Sequence, residues 1–168
     1  FGRLGAFFLK TKEYENSDFF FRKALEVALI IENQLFISGS YNNLGFLAEQ
    51  KGDIELALEM YDKGLDKLAD HLGSKYEKGL LISIQENIAR IHMQKGQFLL
   101  AEKLLLDNYQ LLQELNNRKI EFLRTTFQLT NLYDSLGRYT EIPFYLDELS
   151  KPINEGVYNP TIQEKVNF

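Results

Sequence analysis

The chain has 168 residues, 45% of them apolar, and a net charge of −5. This length suffices for one domain with a sizeable core, and the apolar fraction is that of a globular rather than a disordered protein. The lack of cysteine excludes disulfides and thiolate metal sites, the mixed charges argue against nucleic-acid binding, and no apolar run approaches the ~18 residues of a membrane span.

Helix-forming residues dominate the long segments, and there are only three prolines, which predicts an all-α protein. In chain order, the predicted helices are 1–11, 14–33, 34–51, 54–72, 75–95, 97–116, 118–136 and 140–151. Three glycines mark turns within helix pairs, Gly52, Gly96 and Gly137, and Lys12 stands at the corresponding place in the first pair. We expect Asp53 to cap the fourth helix, and Thr140 to cap the last with Pro143 in its first turn.

A pattern of small and large residues recurs along these helices. Its clearest copy is Tyr41-x-x-Leu44-Gly45-x-x-Ala48, followed by Ala57-x-x-x-Tyr61. Three further copies run from Phe1 through Phe21, from Gln85 through Leu105 and from Thr126 through Leu146, where Ile142-x-x-x-Leu146 takes the place of Ala57-x-x-x-Tyr61. Their small residues, spaced by 40, 44 and 41 positions, are Gly5, Gly45, Ala89 and Thr130.

This signature resembles the tetratricopeptide repeat, W-x-x-L-G-x-x-Y…A-x-x-x-F. The resemblance covers residues 1–151 and implies four antiparallel helix pairs, 1–33, 34–72, 75–116 and 118–151, in a right-handed superhelical solenoid. In each pair, Gly45 or its counterpart is expected where helices A and B approach closely. Residues 152–168 are interpreted as a tail or the start of a further helix, with Asn159-Pro160 as its cap and first position.

Stacked A helices line the inner wall of such a solenoid. At 100° per residue, Asn43, Phe46 and Gln50 point away from the packed side of their helix. The corresponding residues form three rows, of which ten positions in twelve are polar and none is acidic: Arg3, Asn43, Asn87, Gln128; Ala6, Phe46, Arg90, Asn131; and Lys10, Gln50, Gln94, Ser135.

A ladder of amides suits an extended peptide, because each amide can donate to a backbone carbonyl and accept from a backbone N–H. By resemblance to peptide-binding members of the family, we assign this role to Asn43 and Asn87, and then to Gln128. Arg3 suits a carboxylate, and Arg90 with Arg124 an acidic side chain or a C-terminus. Two residues of the second row complete the candidate set: Phe46, which offers an apolar contact to a ligand, and Asn131. The alternative is a solvated face that binds no ligand. In that reading the flanking rows carry acids, which offset the positive charge of the face: Glu49, Glu86 and Asp134.

Catalytic and metal-binding motifs are absent from the sequence. His92 stands at a place for a packed aromatic residue, and His71 near a helix end. No phosphate-binding loop, nucleophile elbow or H-E-x-x-H motif is present, so we expect neither an enzyme nor a cofactor. The run Phe19-Phe20-Phe21 is interpreted as inter-helix packing, with a partner-docking patch as the alternative.

The sequence therefore predicts a protein- or peptide-binding scaffold or sensor domain, in the cytoplasm and without nucleic acid or membrane as partners. Because its repeats exceed the usual period by about one turn per helix, it resembles the repeats of bacterial peptide-sensing regulators. The opening residue Phe1 predicts a fragment of a longer protein, and the resemblance implies that this protein is a bacterial regulator. Two alternatives remain open: a structural module that forms a homodimer through its terminal repeats, and a fragment of a Rap-like response-regulator phosphatase or a peptide-pheromone-sensing transcriptional regulator.

Overall fold

The computed structural model describes residues 1–115 and 119–152, with only the backbone for 151 and 152. This part of the chain holds eight α-helices and no strand, which confirms the all-α prediction. The helices are α1 (Gly2–Lys10), α2 (Tyr14–Ile30), α3 (Gln34–Gln50), α4 (Ile54–Leu68), α5 (Lys75–Gln94), α6 (Phe98–Glu114), α7 (Lys119–Ser135) and α8 (Ile142–Pro152). The proposed helix start at Asn159-Pro160 lies outside the described residues.

The helices fall into two compact units. Unit 1 spans Phe1–Ile84 and unit 2 begins at Gln85, within α5. In unit 1, α2 packs against α1 and α3, and α3 packs closely on α4. In unit 2, α7 packs against α6 and α8. The division into four repeats and the superhelical course of the whole chain stay predictions.

Glycine is required at Gly45 because an aromatic ring occupies the space of its missing side chain. A Cβ atom there would lie 2.6 Å from Cε1 of Tyr61 and 3.1 Å from the carbonyl oxygen of Ala57. At Gly5 the corresponding distance is 2.4 Å, to Cδ1 of Phe21. The close approach of helices A and B is therefore present in both pairs of unit 1, and packing offsets the ~1 kcal/mol by which glycine is inferior to alanine in a helix.

Two buried serine hydroxyls bond glycine carbonyls across these pairs. Ser17 Oγ on α2 donates to the Gly5 oxygen on α1 at 3.0 Å. Ser38 Oγ on α3 donates to the Gly64 oxygen on α4 at 2.8 Å. Each bond satisfies a hydroxyl that would otherwise be buried without a partner, so each favours one alignment of the two helices.

On α8, the core of unit 2 uses a different large residue from the one predicted. Tyr145 of α8 is buried and stacks on Tyr133 of α7, with ring centroids 5.4 Å apart. Leu146, predicted to take this place, is exposed. The prediction was wrong because the larger tyrosine ring fills the space beside Tyr133 and turns Leu146 toward solvent.

The predicted cap at Thr140 was also wrong, since the Thr140 hydroxyl donates to the Glu141 carboxylate at 2.7 Å and α8 starts at Ile142. Pro143 nevertheless lies in the first turn of the helix, where proline is tolerated. Asp53 is a cap as predicted, and its Oδ1 accepts a hydrogen bond from the Leu56 N–H at 3.1 Å.

The turns between helices share a left-handed residue whether or not it is glycine. Gly52 has φ +82°, and Lys12, at the same place in the first pair, has φ +61°. In both turns this N–H bonds the carbonyl three residues back, that of Glu49 at 2.9 Å and that of Leu9 at 3.0 Å. The hydrogen-bonded helix ending therefore imposes the left-handed geometry, and Lys12 adopts it at a cost of ~1–2 kcal/mol.

Candidate functional site

The candidate residues of α3 lie on the surface predicted for them. Asn43 and Phe46 are half-buried and Gln50 is exposed, while Leu44 and Ala48 on the opposite side of α3 are buried. On α1, Arg3, Ala6 and Lys10 are all exposed. In unit 1 these residues therefore line helix faces that solvent and ligands reach.

An apolar groove adjoins Asn43, and sequence reasoning missed it. Its volume is about 470 Å³, and it is lined by Phe1, Gly2, Ala24, Val27, Ala28, Ile31, Leu35, Phe36, Gly39, Ser40 and Asn43. The groove is lined mainly by the second half of α2 and the first half of α3. The apolar positions Ala24, Val27, Ala28 and Ile31 were the available signal, since they recur at helical spacing.

In unit 2, the candidate residues of α5 bond each other. Arg90 Nη2 donates to Asn87 Oδ1 at 3.0 Å, and both side chains are half-buried. On α7, Gln128 is half-buried with a buried Oε1 atom that has no hydrogen-bond partner within the described structure, and Asn131 is exposed. The Asn87 side-chain oxygen is therefore already engaged in a hydrogen bond within α5.

Arg124 is ion-paired with Glu86, which the sequence analysis wrongly placed on the surface. Glu86, expected in a flanking surface row, is only 2% exposed. Its Oε2 accepts from Arg124 Nε at 2.6 Å and is ion-paired with Arg124 Nη2, and its Oε1 accepts from Thr125 Oγ1 at 2.6 Å. Burial raises the pKa of Glu86, while the Arg124 charge and the hydrogen bonds from Arg124 and Thr125 oppose that rise. These bonds fasten α5 to α7.

A helical-wheel signal for the burial of Glu86 was present. Ile82, Glu86 and Ala89 lie four and three positions apart, on one side of α5, and both neighbours are fully buried. No local signal marks Thr125 as the partner, because it comes 39 residues later in the chain.

The described residues contain no group of three or more metal-binding side chains. They also contain no helix of the length and apolarity that crossing a bilayer requires. His92 is half-buried, and its Nδ1 donates to Gln97 Oε1 at 2.7 Å. This contact assigns His92 a structural role at the turn after α5.

Comparison with protein families matches residues 1–29 and 38–66 to the tetratricopeptide repeat. These two segments carry tetratricopeptide repeats. The matched segments coincide with the helix pairs α1–α2 and α3–α4, in which Gly5 and Gly45 meet their aromatic partners. A search of curated proteins finds no relative of this chain. Tetratricopeptide repeats generally mediate interactions between proteins, and proteins built from them are typically non-catalytic scaffolds.

Proposed function

We propose that this chain is a scaffold or sensor domain that binds extended peptide segments of partner proteins through its A helices, α1 and α3 in unit 1 and α5 and α7 in unit 2. The observation that carries the proposal is the shared placement of Asn43, Asn87 and Gln128. Each is half-buried, at the same place in the repeat, on the side of its helix away from the packed small residue. Half-buried amides remain within reach of a ligand, although the Oε1 atom of Gln128 is itself buried.

The chemistry of these faces fits a peptide backbone. An extended peptide must find partners for its N–H and C=O groups, and a carboxamide offers both a donor and an acceptor. In unit 1, the groove beside Asn43 and the ring of Phe46 add apolar surface for a ligand side chain. Arg3 on the exposed face of α1 can bond a ligand carboxylate.

The test treats the two units separately. A displayed library of random linear peptides is selected on the chain, and the affinities of selected peptides are measured by calorimetry. For peptides bound at unit 1, Asn43→Ala should weaken binding about tenfold, or ~1.4 kcal/mol, and for those bound at unit 2 Asn87→Ala should do the same.

Two exposed amides on B helices serve as matched controls, Asn16→Ala on α2 and Gln110→Ala on α6, which should leave the affinities unchanged. Unaltered peptide capture by both Asn43→Ala and Asn87→Ala would reject the proposal.

A second candidate is a module that forms a homodimer, and one observation favours it. Leu44 and Leu47 of α3 are 6% and 2% exposed, whereas Leu4 and Phe7 at the same places on α1 are 46% and 59% exposed. Beside them, Phe20 is half-buried and stacks on Phe8, and Phe19 is exposed. Phe21, in contrast, is buried against Leu44 and Leu47, as predicted for packing between helices.

Light scattering after size-exclusion chromatography tests this candidate. A dimer of the chain should dissociate in the Leu4→Ser/Phe7→Ser variant and persist in Leu99→Ser, which changes an exposed leucine of α6. A monomer over a wide concentration range would reject it.

The regulatory setting is the finer part of the proposal. Four of the helices have 17 residues and α5 has 20, which agrees with the extra turn expected from the 40- to 44-residue spacing. Because that spacing resembles the repeats of bacterial peptide-sensing regulators, we extend the proposal to a sensor role within such a regulator, without catalysis by this chain.

A further inference from the structure

The ion pair between Glu86 and Arg124 lies at the candidate peptide-binding face of unit 2. Arg124, Gln128 and Asn131 are spaced by four and three residues on α7, so they share one side of that helix. Glu86 immediately precedes Asn87 on α5 and reaches across to Arg124 from below the surface. The same bonds that fasten α5 to α7 therefore also fix the guanidinium beside the candidate amides.

Arg124 retains hydrogen-bonding capacity in this arrangement. A guanidinium carries five N–H donors, and the bonds to Glu86 Oε2 involve Nε and Nη2. The Arg124 side chain is 29% exposed, whereas Glu86 is 2% exposed. A ligand oxygen can therefore approach the outer edge of the guanidinium while the carboxylate stays beneath it.

The carboxylate offsets the positive charge of Arg124 that such a ligand meets, while the second cation of this face, Arg90, is hydrogen-bonded to Asn87. Because Glu86 is buried, solvent and salt screen its field only weakly. The Glu121 carboxylate on α7 adds negative potential at the same place. A ligand carboxylate at Arg124 would gain attraction from the guanidinium and lose much of it to repulsion by Glu86, whereas a neutral carbonyl would keep its hydrogen bond.

We propose that Glu86 sets the charge preference of this face, so that Arg124 bonds a neutral peptide carbonyl and disfavours acidic side chains and C-terminal carboxylates. The inference rests on the proposed function and narrows its ligand class. It replaces the expectation that Arg124 holds an acidic group. Glu86 acts through Arg124 and is thus a positioning residue that determines specificity.

The test compares peptides selected from a displayed library of random linear peptides by the unaltered chain and by Glu86→Gln. Glutamine preserves the shape of the side chain; its oxygen can accept from Arg124 and its amide N–H can donate to the Thr125 hydroxyl, and circular dichroism checks the fold. Peptides selected by Glu86→Gln should be enriched in Asp and Glu. An acidic peptide from that set should bind Glu86→Gln about tenfold more tightly than it binds the unaltered chain, and this difference should shrink at high salt.

Glu102→Gln is the matched control, because Glu102 also pairs with an arginine of unit 2, Arg138, at 2.7 Å. It should leave the charge of selected peptides unchanged. In the double variant Glu86→Gln/Arg124→Gln, the gained preference for acidic peptides should disappear. A purely structural role for Glu86 would alter stability without moving this charge preference.

A measurement on the unaltered chain alone covers the case in which Glu86→Gln does not fold. Peptides whose binding depends on Asn87 should be neutral, and their affinity should change less than about twofold between low and high salt. The inference is overturned if the unaltered chain prefers acidic peptides, or if Glu86→Gln selects the same peptides as the unaltered chain. Either result leaves the proposed function intact. Failure of any peptide to bind through Asn43 or Asn87 overturns both.

Discussion

In unit 1, Leu44 and Leu47 of α3 pack against Phe21 of α2, whereas in unit 2 Glu86 of α5 is bonded to Arg124 and Thr125 of α7. The first contact is apolar and non-directional, so its contribution depends on volume and contact area. The second depends on charge and hydrogen-bond geometry, and it turns unfavourable when one partner is lost. The effect of a substitution on stability should therefore depend on side-chain volume in unit 1, and on charge and pH in unit 2.

The largest effect is expected from Gly45→Leu in unit 1. A side chain there meets the Tyr61 ring and the Ala57 carbonyl, so we expect a loss of at least about 3 kcal/mol in the free energy of unfolding, seen as a melting temperature lower by several degrees. Denaturant unfolding measures the loss. Gly39→Ala on the same helix is the control, because the nearest atom to its added Cβ, Leu80 Cδ2, is 3.8 Å away. Equal melting temperatures for Gly45→Leu and the unaltered chain would contradict the register derived for α3 and α4.

Arg124→Met in unit 2 comes next, with a loss of about 3 kcal/mol at pH 8, because it leaves a buried carboxylate without its cation. The loss should shrink as the pH is lowered. The pKa of Glu86 in the folded chain is raised by burial above its unfolded value, and removing Arg124 raises it further. The folded state then binds more protons than the unfolded state, so stability falls as pH rises through the folded pKa.

Unfolding curves between pH 5 and pH 8 measure this dependence, with Glu86→Gln/Arg124→Met as the control that lacks the titrating group. If Arg124→Met loses the same stability at both ends of that range, burial does not govern the protonation of Glu86.

A smaller difference in stability is expected between substitutions of Leu47 and of Phe7, which occupy the same place in the two helix pairs of unit 1. Leu47→Ala removes buried volume beside Phe21 and should cost about 2.5 kcal/mol. Phe7→Ala, at the same place on the exposed face of α1, should cost about 0.5 kcal/mol or less in the monomer. Chemical unfolding at low protein concentration makes the comparison. A large loss for Phe7→Ala would mean that the α1 face is covered in solution, which favours the homodimer.

The smallest effect concerns the turn between α1 and α2. Lys12→Gly should stabilise the chain by about 1 kcal/mol, because glycine adopts the left-handed geometry without strain. The reverse change, Gly52→Lys in the second pair, should destabilise by a similar amount. Thermal unfolding of both variants checks whether the two turns are equivalent. If both melting temperatures moved in the same direction, the turns would not be equivalent.

Local patterns sufficed to place the helices and the contact at Gly45. Glycine-centred breaks and recurring small residues are short-range signals, and the structure follows them to within a few residues, with α4 ending four residues before its predicted end. The surface placement of Asn43 and Asn87 followed from helical periodicity alone. What these residues bind stays a prediction.

The features that the sequence prediction missed depend on how residues from different helices come together. Glu86 is buried because Arg124 and Thr125 reach it from α7, and a surface interpretation was the default for an acid in an amphipathic helix. Tyr145 replaced Leu146 because ring volume beside Tyr133 outweighed the motif spacing. The groove near Asn43 is lined by residues of α1, α2 and α3, so no pattern within a single helix describes it.

The buried hydroxyls of Ser17 and Ser38 have a consequence for how each hairpin can move. Each hydroxyl meets one carbonyl, so sliding either helix by a single residue would leave a polar group facing hydrocarbon. Leucine and phenylalanine contacts would tolerate such a slip far better. The two serines therefore hold the helices of each hairpin in one axial alignment.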